Sequence, residues 1–240
     1  MKEIPILFKD DMVRAILEGR KTQSRRVIKP QPILMDSGTW YPSEHPGDKK
    51  NKTGLHYANE KHMRKGLAID FCPYGQPGDI LWVKEYFSWV TLVEKDPWDS
   101  LFSAIKRVPA NSPHDHAGCK VGMLYRATDT DWEGEAPWKS SLFMPRWASR
   151  INLEVVSVRA ERVQEINEED VKAEGIGSFA GNIGSHSNPT DFYVAFPEKE
   201  GGFLFASEAF EALWNFINAK RGYGWDVNPW VWRIEFKAAA

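Results

Sequence analysis

The residues with the clearest capacity for chemistry sit in one run, Gly19-Arg20-Lys21-Thr22-Gln23-Ser24-Arg25-Arg26. From Arg20 to Lys29 there are five basic residues and no acidic one. Arg and Lys supply charged donors, and Thr22 and Ser24 supply hydroxyls, so the segment can hold a phosphate or a nucleobase. The same residues also read as a solvated basic strand. Glu174 is the second candidate. It falls at the predicted end of a short helix, where the helix dipole disfavours a carboxylate, so it calls for a cationic partner unless it is simply exposed. The preceding acids, Glu168 to Asp170, fall in the first turn, where they cap and solvate the helix. A third candidate is Met144 to Arg150. There Trp147 can stack a base and Arg146 can hold a phosphate, or Trp147 can be core and the arginines can pair with acids. His114, Asp115, His116 and Cys119 carry metal-ligating groups, but their spacing is no zinc pattern and no second cluster completes four ligands. No metal and no cofactor is expected.

Those residues need elements to position them. Ile4 to Phe8 reads as a strand. A helix capped at Asp10 or Asp11 follows, with Met12, Val13, Ile16 and Leu17 on its buried side and Gly19 as its stop. Residues 22–28 are then extended. The run 29–70, with four prolines and the charged stretch 48–52, reads as a long surface excursion. Pro77-Gly78-Asp79 is a turn before the strand 80–85, and Gly122 to Ala127 is another strand. In 151–158, Ile151, Leu153 and Val155 alternate with polar residues, and Val156 and Val158 then change parity, which predicts a bulge or a strand buried on both faces. Asn167 can cap the helix that ends at Glu174. Residues 175–202 read as loop, 206–220 as a helix with Phe210, Leu213, Trp214 and Ile217 on one side, and 230–236 as a closing strand. Trp232, Ile234 and Phe236 share one face of that strand, and Val231, Arg233 and Glu235 the other.

This order shows no βαβ alternation. It predicts an α+β fold: a small, mostly antiparallel β-barrel with a few helices, one domain over residues 1–237, and insertions near 30–70, 91–120 and 178–203. The formal net charge of -2 excludes bulk electrostatics as a nucleic-acid signal, so any such site is a local patch. Two cysteines do not make a secreted disulfide scaffold. The first nine residues are too charged for a signal peptide and no apolar run reaches membrane length, so a cytoplasmic protein is expected.

At these residues the sequence resembles the ASCH domain family, a branch of the PUA-like superfamily, and within it the longer members found in phages and prophages. The resemblance rests on Ile6-Leu7-Phe8, Ile16 to Thr22, Gly78 to Glu85, Met144 to Arg150, Ile166 to Gly175 and Asn228 to Trp232. These pieces occur in order from one end of the chain to the other, and the three insertions lie outside them. The resemblance implies a PUA-like barrel whose cleft binds RNA or a modified nucleoside. Some small ASCH proteins share the Gly-Arg-Lys-Thr segment and act as amidohydrolases on 4-acetylcytidine. Their catalytic Lys, Thr and Glu carry over to Lys21, Ser24 and Glu174. This chain has Ser where they have Thr, which keeps the hydroxyl and loses the stiffer β-branched rotamer. On this reading Lys21 takes a proton, Glu174 orients Lys21 and relays the proton, and Ser24 binds the carbonyl or the water. Arg26 holds base or phosphate, with Arg20, Thr22, Arg25, Arg146 and Trp147 as further RNA contacts. The alternatives are a non-catalytic RNA-binding module, a ribonuclease, or a phage accessory protein that presents Trp40, Trp89 and Trp98 as a contact surface.

Overall fold

The computed structural model describes residues 1–41, 56–91, 104–110, 118–129, 137–181, 190–194 and 202–239. The chain runs β1 (Glu3–Leu7), α1 (Asp10–Leu17), β2 (Gln23–Val27), β3 (Ile33–Leu34), β4 (Trp40–Tyr41), α2 (Glu60–Asp70), β5 (Ile80–Lys84), β6 (Phe87–Thr91) and β7 (Ala104–Arg107). It continues through β8 (Lys120–Tyr125), β9 (Asn152–Arg162), α3 (Glu168–Ala173), β10 (Gly177–Gly181), β11 (Thr190–Val194), α4 (Ala206–Asn218) and β12 (Trp230–Ala238). The fold is α+β, as the pattern predicts.

The central sheet has five strands in the order β1-β5-β9-β12-β2. Only β1 and β5 pair in parallel; the other three ladders are antiparallel. No ladder joins β1 to β2 among the described residues, so the sheet is open where the sequence pattern suggested a barrel. What spans the two edges is a side chain: Arg26 Nη2 of β2 donates to the Leu7 carbonyl of β1 at 2.6 Å. Of the two alternatives the sequence leaves open, a bulge or a strand buried on both faces, the structure has the bulge. Ser157 pairs with Glu235 and Val155 with Phe236, which leaves Val156 as the extra, exposed residue of β9.

The strand β12 divides two cores, as its alternation requires. Trp230, Trp232, Ile234 and Phe236 pack with Ile6, Val13, Leu81 and Leu153 in one of them. Val231 packs with Phe210, Leu213 and Trp214 of α4 and Val171 of α3 in the other. A smaller cluster joins Phe87 of β6 and Val121, Met123 and Tyr125 of β8 to Met144 and Ala148.

Several sequence expectations need correcting. Leu17 is exposed, and Ala15 takes its place on the buried side of α1. The excursion at 29–70 contains α2, capped by Asn59 Oδ1 on the His62 N–H at 3.0 Å, with Met63 and Leu67 fully buried. Prolines and charges upstream of residue 59 masked this helix. The region 91–120 contributes β7 to a three-stranded sheet, and 175–202 forms the hairpin β10–β11. Trp40 is buried edge-on against Trp230, centroids 5.6 Å apart, and Trp89 packs on Trp147, so neither is an open contact surface. Trp98, His114, Asp115, His116 and the stretch 48–52 lie outside the described residues. Among those described, no group of His, Cys, Asp and Glu could hold a metal, and no helix is long and apolar enough to cross a membrane.

Candidate functional site

The basic run is positioned by a helix stop and a strand start. Gly19, at φ +73°, ends α1 in the left-handed region that suits glycine. The Lys21 N–H then donates to the Ala15 carbonyl at 2.9 Å, and Lys21 forms an isolated bridge with Glu174. The Thr22 N–H donates to the Ala173 carbonyl at 2.8 Å, which pins the end of α3 beside the start of β2. Gly175 is needed at this junction. Its φ is +91°, and a Cβ there would lie 3.0 Å from the Lys21 Cβ.

Glu174 finds the cationic partners its helix-end position calls for. Lys21 Nζ donates to Glu174 Oε2 at 2.8 Å and to the Glu174 carbonyl at 2.7 Å. Arg25 Nη1 donates to Glu174 Oε1 at 3.2 Å. Lys21 is 2% exposed and Glu174 5%. Burial pushes the Lys21 amine below the ordinary lysine range, and the Glu174 carboxylate pulls the other way without restoring it.

Beyond Glu174 the network continues through Arg25 to residues the sequence did not mark as a site, Glu161, Asp170 and Arg233. Arg25 Nε donates to Glu161 Oε1 at 2.9 Å, and Arg25 Nη2 donates to Asp170 Oδ2 at 2.8 Å. Arg233 Nη2 reaches Asp170 Oδ1 at 2.7 Å, and Gln23 bridges Asp170 and Arg233. Lys21, Arg25 and Arg233 thus face Glu174, Glu161 and Asp170, three charges of each sign, all buried. Burial opposes the Arg25 charge, but the three carboxylates overcome it and hold its pKa up. Burial likewise pushes Glu161 up, against the pull of Arg25. Asp170 therefore corrects the view that all three acids of α3 only cap and solvate it; Glu168 and Glu169 are exposed. The missed signal was the pair Arg233 and Glu235 on one face of an otherwise apolar closing strand.

A cleft of about 540 Å³ opens along β2, the edge strand. Ser24, Arg25, Arg26 and Glu174 line one side of it, Phe71, Pro73 and Tyr74 a second, and Phe210, Trp214 and Ile217 of α4 a third. That volume falls in the range of small-molecule sites, roughly 300–1,000 Å³. The Ser24 hydroxyl has no hydrogen-bond partner among the described residues. The strand edge also contributes. Ile28 N–H donates to the Trp230 carbonyl and Phe236 N–H to the Thr22 carbonyl. By the alternation of an antiparallel ladder, the even-numbered residues of β2 bond to β12, and Arg25 and Val27 turn their main-chain groups away from it.

The structure therefore brings Lys21, Ser24, Arg25, Arg26 and Glu174 together. Lys21 lies behind Glu174 and does not itself line the cleft. The other expected contacts are elsewhere. Arg20 pairs with Glu18 and donates to the Gly175 carbonyl at 2.9 Å, so it holds the end of α3. Thr22 is exposed and does not line the cleft. Arg146 makes a two-pronged contact with Glu3 at 2.9 and 3.0 Å, and Trp147 joins the small cluster of β6 and β8; neither reaches the cleft. No protein-family model, no curated protein and no solved structure matches this chain.

Proposed function

We propose that this is an ASCH-type cleft of PUA-like descent that binds a modified nucleoside, free or within RNA, and hydrolyses an amide on its base. 4-Acetylcytidine is the first substrate to test. The observation that carries this reading is the buried Lys21–Glu174 pair at 2.8 Å, whose carboxylate borders an open cleft beside the unpartnered hydroxyl of Ser24.

The residues divide the work as follows. Water attacks the acetyl carbonyl carbon. Its proton passes to Glu174 and along the hydrogen bond to the Lys21 amine, which burial favours in its neutral form. The Ser24 hydroxyl donates to the carbonyl oxygen as negative charge develops there. The proton returns to the cytosine amine as the carbon–nitrogen bond breaks, giving cytidine and acetate. Phe71, Tyr74 and Trp214 provide apolar surface for the base, and the free main-chain groups of Arg25 and Val27 face its polar edge.

The test is turnover of 4-acetylcytidine followed by chromatography, with Lys21→Ala as the control. Deacetylation that falls about 10²–10⁴-fold in the variant is expected for loss of a proton-transfer group. Equal turnover by the variant would sink the assignment. Cleavage of single-stranded RNA offered in parallel would identify a ribonuclease instead.

A further inference from the structure

Within the same cleft, the basic residues fall into two groups. Lys21, Arg25 and Arg233 are compensated by buried carboxylates. Arg26, Lys29 and Arg221, which line the cleft, form no salt bridge with a carboxylate among the described residues. Arg26 is half-buried. Its guanidinium lies 5.0 Å over the Phe8 ring, and its Nε is buried with no hydrogen-bond partner. Lys29 lies 4.9 Å over the Tyr223 ring, and Arg221 is exposed just past α4. Burial pushes the Arg26 pKa down, Tyr74 and Glu174 pull it back up in part, and the nearby Arg221 charge pushes it down. Among the described residues the only carboxylate lining the cleft is Glu174, which is already held by Lys21 and Arg25. Three like charges thus converge on one space in a chain whose formal net charge is -2.

We propose that Arg26, Lys29 and Arg221 form a phosphate subsite at the cleft, so that the cleft binds a phosphorylated nucleotide more tightly than the neutral nucleoside. The subsite rests on the nucleoside reading of the cleft for its base half, and on the three cations alone for its phosphate half. An anion there would replace cation–cation repulsion with charge-assisted hydrogen bonds, including one to the unpartnered Arg26 Nε. The phosphate can come from a mononucleotide or from the backbone of an RNA chain.

The experiment is calorimetric titration of the full chain with four probes: cytidine, cytidine 5′-monophosphate, inorganic phosphate and a short oligoribonucleotide. Each is repeated on Lys29→Ala/Arg221→Ala, which alters two exposed side chains, and on Arg26→Lys. At least one phosphorylated nucleotide probe should bind about tenfold or more tightly than cytidine. The double variant should remove most of that advantage and leave cytidine affinity unchanged. For the oligoribonucleotide, each cation removed should lower the salt slope by roughly one. Tight binding of the mononucleotide points to a free nucleotide; tight binding of the oligoribonucleotide alone points to an RNA backbone. If neither phosphorylated probe outbinds cytidine, or if their advantage survives in the double variant, the subsite is wrong. Should inorganic phosphate bind as tightly as the mononucleotide, and lose affinity in the double variant, the subsite stands and the nucleoside reading of the cleft fails.

Discussion

Among the buried carboxylates held by cations, Glu85 and Glu174 make a contrast that separates support from chemistry. Glu85, fully buried after β5, receives Arg150 Nε and Nη2 at 2.9 Å each, and Arg150 in turn lies 4.0 Å over the Tyr125 ring. Glu174 also takes two charged donors, but from two different residues, and it borders a cleft. The Glu85 pair fits a fork-on-fork geometry that satisfies both oxygens from one partner. The Glu174 cluster spreads its charge over Lys21, Arg25, Asp170, Glu161 and Arg233, so the charge on any one member depends on the others. A single closed pair orders the chain. A shared cluster beside a cleft is an arrangement in which a proton can move.

The largest effect should come from breaking the clusters. Arg25→Ala leaves Glu161 without its direct partner and turns three balanced charges of each sign into an excess of negative charge. Removing one partner of a buried pair costs about 3–5 kcal/mol, and this variant belongs at the upper end. Arg150→Ala belongs at the lower end. It strands a single carboxyl, whose pKa burial already raises, so Glu85 can take up a proton. Urea unfolding of the two variants checks the order. A smaller loss from Arg25→Ala than from Arg150→Ala would show that the shared cluster is the weaker support.

A second difference separates activity from stability. Ser24→Ala removes a hydroxyl that makes no hydrogen bond among the described residues, so its melting temperature should stay within a few degrees of the parent. Its turnover of 4-acetylcytidine should fall about 10²–10³-fold, the loss expected for an oxyanion donor. A folded Arg150 variant such as Arg150→Lys should show the reverse, weaker folding with turnover kept. Full activity in Ser24→Ala would remove the serine from the mechanism and leave Glu174 and Lys21 acting on water alone.

How far the sequence revealed this cluster follows from where its members sit. Lys21 and Arg25 share one unusual run of basic residues, and Glu174 stands at a helix end that electrostatics disfavours, so local rules point to each of them. Asp170 obeys a local rule as well, the preference for acids in a first turn, and that rule hid its burial against Arg25 and Arg233. Arg233 meets Arg25 only through the register of β12 on β2, which no local pattern fixes. The same holds for the fold. Strands with clear alternation, such as 151–158 and 230–236, were legible, and so was the bulge at Val156. The helix α2 was not, because its two fully buried residues, Met63 and Leu67, are spaced among charges in a proline-rich stretch. Arg221 escaped notice because an arginine after a helix looks like a favourable C-terminal charge, whereas its place at the cleft depends on where α4 docks.

The smallest predicted effect is a pair of opposite pH responses. Glu85 is raised by burial above the ordinary glutamate value, against the pull of Arg150. In the window between 4.5 and that raised value the folded chain holds more protons than the unfolded one, so stability falls as pH rises. The contribution is therefore complete below 4.5 and is lost as pH climbs through the folded value. Lys21 is lowered, so between its folded value and 10.5 the unfolded chain holds more protons, and stability rises with pH. Each group changes the slope by at most about 1.4 kcal/mol per pH unit. Measured against Glu85→Gln, the parent should gain stability toward acid; measured against Lys21→Met, it should gain toward alkali. In the proposed mechanism the neutral Lys21 amine is the active form, so the Lys21 shift would place the acid limb of kcat/KM below 10.5. Parallel pH responses in the two comparisons would mean that Glu174 and its neighbours hold Lys21 fully charged, and the proton path through it would then be closed.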